Sequence, residues 1–378
     1  MDQDTLEITA KRKIPARESI TVSVPGRICL FGEHQDYLKL PVITAAIDLR
    51  VNITGKSDPG GHIRLHLPDI SEEKDLILPP SGQLLRYEEE RDYYRSVINV
   101  LKKHGMEITN GCECTVRGNI PINSGTSSSS ALNVAWCRFL LAIHQSKTAD
   151  MLKDPEKIAR LAYLAEVEEF GEPGGMMDHY ATALGGILYQ QFNERVEIER
   201  LQSVLGTFVL GDSLEPKDTK GILKRVKQGV LEAVAVIRAH DPDFNLAMVP
   251  ADGAKQYHHL MTAEQTDVFE GAILNRDITR EALKVLRSAS VDDENLGRLL
   301  NRQQDLLRKQ LRISTPKIDR MLSAALKAGA TGGKINGSGG GGCMFVYAPL
   351  KPEKIVAAIE KEGGKAYIVN VDQGLRID

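Results

Sequence analysis

The chain has 378 residues, 42% hydrophobic and 26% charged, a balance that excludes a wholly disordered or collagen-like chain and allows two to three domains. Its 48 basic and 51 acidic side chains leave a net charge of −3, so no bulk field draws it toward nucleic acid or an anionic membrane. Five cysteines (Cys29, Cys112, Cys114, Cys137 and Cys343) are too sparse for a disulfide scaffold and point to a reducing compartment, each packed in the interior. The acidic Met1-Asp2-Gln3-Asp4 start lacks the apolar core of a signal segment, and the charge-free stretch 118–137 is too polar to span a bilayer. A cytoplasmic location is expected.

From Ser19, alternation of Ile20, Val22 and Val24 with Thr21 and Ser23 predicts a half-buried strand. Pro25-Gly26 interrupts it, and an apolar run resumes over Ile28 to Phe31. Further strand is expected over 42–53, a helix over 93–104 and a short strand over 112–116. The loop from Pro121 to Ser130 leads into a helix over 131–144, and another helix spans 155–170. Strands are read at 184–189 and 207–210. The 3.6-residue period then returns over 219–240 and persists to Leu311. Thr315-Pro316 opens a helix as N-cap and first position, ended by Gly329. A glycine loop, a strand over 343–347, a helix over 352–362 and a strand over 366–371 complete the chain. A domain boundary falls near residue 200, dividing 1–200 from 201–378.

Residues 332–342 hold seven glycines, more than an ordinary turn tolerates, because each costs backbone entropy. Such a run suits a backbone that must approach a ligand or another segment closely. Gly337, Gly339 and Gly342 satisfy G-x-G-x-x-G, but this loop follows a helix and opens a strand, the reverse of the dinucleotide fingerprint. Gly333-Lys334 is followed by Ile335, where a P-loop needs Ser or Thr. The serine loop has the better context for phosphate. Ser124, Gly125, Thr126, Ser127, Ser128, Ser129 and Ser130 run into a helix whose first amides lack internal partners and carry partial positive charge. One hydroxyl suffices to cap a helix. A third stretch, Gly171-Glu172-Pro173-Gly174-Gly175-Met176-Met177-Asp178, reads as a tight turn presenting Asp178.

The order of Pro25-Gly26-Arg27-Ile28-Cys29-Leu30-Phe31-Gly32-Glu33-His34-Gln35-Asp36-Tyr37, the Pro121 to Ala131 loop, Asp178 and the glycine loop resembles the GHMP kinases, over nearly the whole chain. Within that family the first segment and Gly175-Met176-Met177-Asp178 are most similar to galactokinases. The resemblance implies a two-domain α+β fold. Its N-terminal domain would be ribosomal-S5-domain-2-like with a mixed sheet, its C-terminal domain a ferredoxin-like α/β sandwich, and the active site would lie between them. It implies Asp178 as the catalytic aspartate beside the acceptor hydroxyl and Arg27 as its charge-stabilising partner. Glu33, His34 and Asp36 would hold sugar hydroxyls, and Ser129 and Glu166 would hold magnesium. Residues Ser124 to Ser130 would cradle the ATP phosphates, supported by Gly337, Gly339 and Gly340 of the third motif.

The expected reaction is transfer of the ATP γ-phosphoryl group to the anomeric hydroxyl of galactose or a related sugar. The partners are ATP, Mg2+ and a small sugar, with no nucleic acid or membrane. A kinase for another small alcohol (a uronic acid, a pentose or mevalonate) and a non-catalytic sugar sensor are the alternatives. Departures from galactokinases cluster on the sugar side. Leu38 to Thr44 replaces the usual segment, the stretch Gly211 to Thr219 lacks a matching tyrosine, and Gln303-Gln304 stands for a Ser-His pair.

Overall fold

The computed structural model describes residues 19–378 other than 59, 71–74, 80–82, 109, 145, 218 and 289; the Met1–Asp4 segment lies outside the described residues. The first sheet holds β1 (Ile20–Phe31), β2 (Val42–Asp58), β3 (Ile63–His66), β4 (Asp75–Leu78), β5 (Gly111–Gly118), β6 (Ile187–Phe192) and β7 (Val196–Leu201). The second holds β8 (Phe208–Asp212), β9 (Gly332–Ile335), β10 (Cys343–Tyr347) and β11 (Lys365–Val369), and β12 (Arg376–Ile377) returns to pair with β1. The first sheet is mixed: β3 runs parallel to β5, and its other pairings are antiparallel.

β1 is buried on both faces from Val22 onward, not on one as its alternation suggests. Ser23 is covered because Arg50 reaches it: Nε donates to Ser23 Oγ at 2.7 Å, while Nη1 and Nη2 bind Asp372 and the Gly374 carbonyl of the returning C-terminal segment. Pro25-Gly26 does not end the strand either. Pairing passes from Pro25↔Arg50 to Gly26↔Ile47, so a bulge in β2 absorbs the proline, which has no N–H to give the ladder.

The first sheet is flanked by α1 (Tyr93–Lys103), α2 (Ser128–Ile143), α3 (Lys147–Leu152), α4 (Pro155–Tyr163) and α5 (Met177–Leu184). α4 runs on through a π-helical turn, Leu164–Glu168, where a plain α-helix is expected. After β8 come α6 (Thr219–His240), α7 (Ala251–Ala254), α8 (Ala263–Leu286), α9 (Asp293–Lys309), α10 (Pro316–Lys327) and α11 (Pro352–Lys361). Local chemistry fixes several ends. Thr262 and Gln265 form a capping box on α8, and Thr315 caps α10 with Pro316 at its first position.

The second sheet, in the order β11-β8-β10-β9, is antiparallel throughout. That order, with α6 to α10 between its first and second strands and α11 between its third and fourth, is ferredoxin-like. Gly332 and Gly333 belong to β9, not to the glycine loop, which is therefore the hairpin connection from β9 to β10. One apolar core continues from α2 (Val134, Trp136, Phe139) to the second sheet (Phe208, Phe345), and all five cysteines are free and buried. Each fully buried large apolar side chain contributes about 1.5–3 kcal/mol. No helix among the described residues is long and apolar enough to cross a membrane.

Candidate active site

β1 and α5 meet at one ion pair. Arg27, in the middle of β1, donates through Nε and Nη2 to the two oxygens of Asp178 at 2.8 and 2.6 Å, and through Nη1 to the Gly125 carbonyl. Asp178 lies in the first turn of α5, where the helix end favours negative charge. Burial acts to raise its pKa, but the Arg27 guanidinium more than offsets this and holds the carboxyl below the usual aspartate value. The aspartate is therefore ionised, with both oxygens fixed in direction.

The serine loop divides into bracing and open residues. Ser124 Oγ donates to the Pro121 carbonyl at 2.7 Å and lies 2.9 Å from Thr126 Oγ1. These two hydroxyls, expected to bind phosphate, are committed within the loop, and neither residue lines the cleft. Gly125 and Ser127 to Ser130 do line it. α2 begins at Ser128, three residues before its expected start, so Ser128, Ser129 and Ser130 form its first turn. Ser127 occupies the cap position with a left-handed φ of 62° and makes no side-chain cap bond; its buried hydroxyl lies near the Asp178 carboxylate and helps hold that pKa down. The helix start is thus not over-capped: its amides remain available to an anion. Beside it, an apolar hollow formed by Leu67, Tyr94, Val116, Ile122 and Leu132 shares Ser128 and Ser129 with the cleft.

Glu166 sits in the π-helical turn and lines the same cleft as Ser129. His179, next to Asp178, points Nε2 at Glu166 Oε2 over 2.8 Å and fixes that carboxylate. A hydroxyl and an oriented carboxylate are hard oxygen donors that fit Mg2+, which commonly completes its shell with water and phosphate oxygens.

Around the first motif the structure differs from expectation. Glu33 is fully buried and does not line the cleft. Its carboxylate pairs with Lys334 of β9, and its carbonyl accepts from Asn275 Nδ2 at 2.8 Å. Burial raises its pKa, against the pull of Lys334. Glu33, expected to hold a sugar hydroxyl, therefore joins the two lobes instead of facing the cleft. His34 does line the cleft, but both ring nitrogens are engaged, Nε2 with the Ser338 carbonyl at 3.1 Å and Nδ1 with Tyr37 Oη at 2.7 Å. A carbonyl only accepts, so Nε2 carries the proton. Burial lowers the His34 pKa to about 4 and keeps the ring neutral.

Asp36 faces the cleft as expected. Its oxygens accept from the amides of Tyr37 (3.0 Å) and Met177 (3.2 Å), and burial, then the charge of Asp178, raise its pKa to about 6. A Cβ on Gly175 would lie 1.9 Å from Asp36 Oδ2, so the glycine turn before Asp178 exists partly to admit Asp36. Arg91 holds Glu172 of the same turn through two 3.0 Å bonds.

Of the third motif, Gly337 lines the cleft but Gly339 and Gly340 do not. They lie on the segment before α10: a Cβ on Gly339 would be 2.5 Å from that of Ile313, and the Gly340 amide donates to the Ile313 carbonyl at 2.7 Å. The sequence reading missed Asn336, which ties three motifs together: Oδ1 accepts from the Cys29 amide and Nδ2 donates to the Gly125 carbonyl, each at 2.9 Å. It also missed His179, Lys334 and Lys217. Only His179, adjacent to Asp178, carried a positional signal.

Three family models match the chain: the galactokinase galactose-binding signature over residues 12–56, the GHMP kinase N-terminal domain over 92–186 and the GHMP kinase C-terminal domain over 282–365. The chain belongs to the GHMP kinases, phosphotransferases that use ATP as donor and an alcohol as acceptor. It is 28% identical to a mevalonate kinase of Thermococcus sibiricus, covering 95% of this chain and 98% of that protein. Its fold is similar to that of Lactococcus lactis galactokinase complexed with galactose, with a TM-score of 0.83 at 20% identity over 96% of this chain and 95% of that one. Against Methanococcus jannaschii mevalonate kinase the TM-score is 0.69 at 20% identity, over 96% and 100%.

Proposed function

We propose that this protein is a magnesium-dependent sugar kinase that moves the γ-phosphoryl group of ATP to the anomeric hydroxyl of galactose or a related sugar. The observation that carries the reading is Asp36, a cleft-facing carboxylate on the same wall as the Arg27–Asp178 pair. A carboxylate there accepts strong hydrogen bonds from neighbouring hydroxyls of a polyol and repels an acceptor that carries its own carboxylate. The match to the galactose-binding signature supports the same choice.

In this reading the acceptor hydroxyl lies against Asp178, which takes or orients its proton, and Arg27 offsets the charge. The open amides and hydroxyls of Ser127 to Ser130 hold the phosphates, and the apolar hollow beside them takes the base. Ser129 and Glu166 hold Mg2+, which neutralises phosphate charge when bound. Phosphoryl transfer needs this positioning and charge neutralisation more than covalent help. The division of labour at residue 200 belongs to the same proposal: the first lobe supplies the reacting groups and the second closes the cleft, in a cytoplasmic enzyme with small-molecule partners. Retention of Asp178, Arg27, Ser129 and Glu166 argues against a non-catalytic sensor.

Sequence identity favours a second reading, a mevalonate kinase. A screen of ATP turnover over free hexoses, pentoses, uronic acids and mevalonate decides between them. A free sugar is expected to give the highest kcat/KM. Efficient turnover of mevalonate with none on any sugar overturns the sugar reading and leaves the kinase assignment standing.

A further inference from the structure

Lys217 lies in the loop between β8 and α6, in the segment whose role the sequence left open. It enters the cleft from the second lobe between two glycines. A Cβ on Gly342 would stand 2.6 Å from its Cδ, and a Cβ on Gly125 would stand 2.8 Å from its Nζ. The stem thus runs through a slot, and the ammonium ends at the serine loop, in the cavity that holds Arg27, Asp178 and Ser127. Among the described residues Nζ makes no hydrogen bond or ion pair. The nearby carboxylate cannot serve it fully, since both oxygens of Asp178 are taken by Arg27.

Arg27 already spends three of its five N–H donors, one each from Nε, Nη1 and Nη2, on Asp178 and the Gly125 carbonyl. Its charge is paired with Asp178. Lys217 is the opposite case, a cation in the cleft with its donors unspent. Burial, then the neighbouring Arg27 charge, lower its pKa to about 8, as expected of a cation that lacks its counter-ion. A lysine ammonium is a point charge with three rotatable donors, suited to a tetrahedral phosphoryl group.

We infer that Lys217 binds the terminal phosphoryl group of the nucleotide, opposite the open start of α2, and that Gly125 and Gly342 form the slot that admits its stem. The inference rests on the kinase reading above and assigns the charge that the first lobe does not supply.

Calorimetric titration of wild type, Lys217→Met and Lys217→Arg with magnesium AMP-PNP and with magnesium ADP tests it. Lys217→Met is expected to weaken AMP-PNP about 10–100-fold, the range for a lost hydrogen bond to a charged group, and to leave ADP unchanged. Its kcat should fall ~10²–10³, as when one preorganised donor is removed. Lys217→Arg keeps the charge and should recover part of the preference for AMP-PNP. Should the methionine variant not fold, Lys217→Gln carries the same test. Equal affinity changes for both nucleotides, or unchanged nucleotide binding with a raised acceptor KM, overturn the assignment and place the lysine elsewhere. A wild-type protein that binds neither nucleotide instead overturns the kinase reading itself.

Discussion

At the serine loop the first amides of α2 and the Lys217 ammonium stand open, while at the opposite end of the cleft His34 and Asp36, the side chains that line it there, already have protein partners. His34 uses both ring nitrogens, Asp36 accepts through both oxygens, and Glu33 is sealed against Lys334. The serine-loop end, where the proposal seats the phosphates, is thus left to be completed by a ligand. The opposite end, where the proposal seats the acceptor, is a prebuilt wall that leaves a ligand few points of contact, chiefly Asp36 and Asp178 in that proposal. An open end tolerates any polyphosphate of the right length; a prebuilt wall discriminates, because an acceptor that fails to match leaves buried groups unpaired.

The comparison breaks first at Asp178. Asp178→Asn keeps the size but removes the charge and the basic oxygen, and kcat should fall ~10²–10⁴, the scale of general-base loss, with magnesium AMP-PNP affinity nearly unchanged by calorimetry. Turnover near wild type would show that the wall, not this carboxylate, governs the reaction. Lys334→Met tests whether Glu33 is wall or ligand. Stranding its buried carboxylate should cost about 3–5 kcal/mol, read as a lower denaturant midpoint, and Glu33→Gln in the same chain should recover part of it. A raised acceptor KM with unchanged stability would instead return Glu33 to the substrate.

On the magnesium side, His179→Ala should raise the Mg2+ concentration for half-maximal AMP-PNP binding by about 10-fold or more, the usual effect of removing a group that orients a ligand, less than Glu166→Ala does. Unchanged magnesium dependence in both would leave Glu166 a structural residue. Asp36→Ala should raise the acceptor KM about 10–100-fold and leave the ATP KM unchanged. The smallest effect is a pH profile. With a pKa near 6, Asp36 is ionised above that value and loses its acceptor character as pH falls through it, so the acceptor KM should rise below about pH 6. Because the Asp178 charge helps raise that pKa, acceptor binding to Asp178→Asn should show the midpoint at lower pH.

What was legible in the sequence follows the same division. Arg27, Asp178 and Ser127 to Ser130 are placed in the cleft by backbone position and local helix chemistry, which short motifs encode. The helices of the second lobe were similarly readable from clean helical periods and the Thr315-Pro316 start, while its ferredoxin-like order was implied only by the resemblance to the GHMP kinases. The burial of Glu33 escaped the sequence because its partner, Lys334, is 301 positions away, and no local pattern announces a pairing across two lobes. Ser124 and Thr126 looked identical to the serines that follow; only the Pro121 carbonyl above them turns their hydroxyls inward. The β2 bulge escaped because a proline reads as a break until its partner strand is known.

The contacts between the two lobes also constrain motion. Glu33–Lys334, His34 to the Ser338 carbonyl, Asn336 to Cys29 and Gly125, and the Cys343 amide to the Ser124 carbonyl at 2.6 Å all cross from one lobe to the other. A hinge opening would have to part all of them together. Where many kinases exclude water by closing one lobe on the other, these contacts tie the base of the cleft together across both lobes.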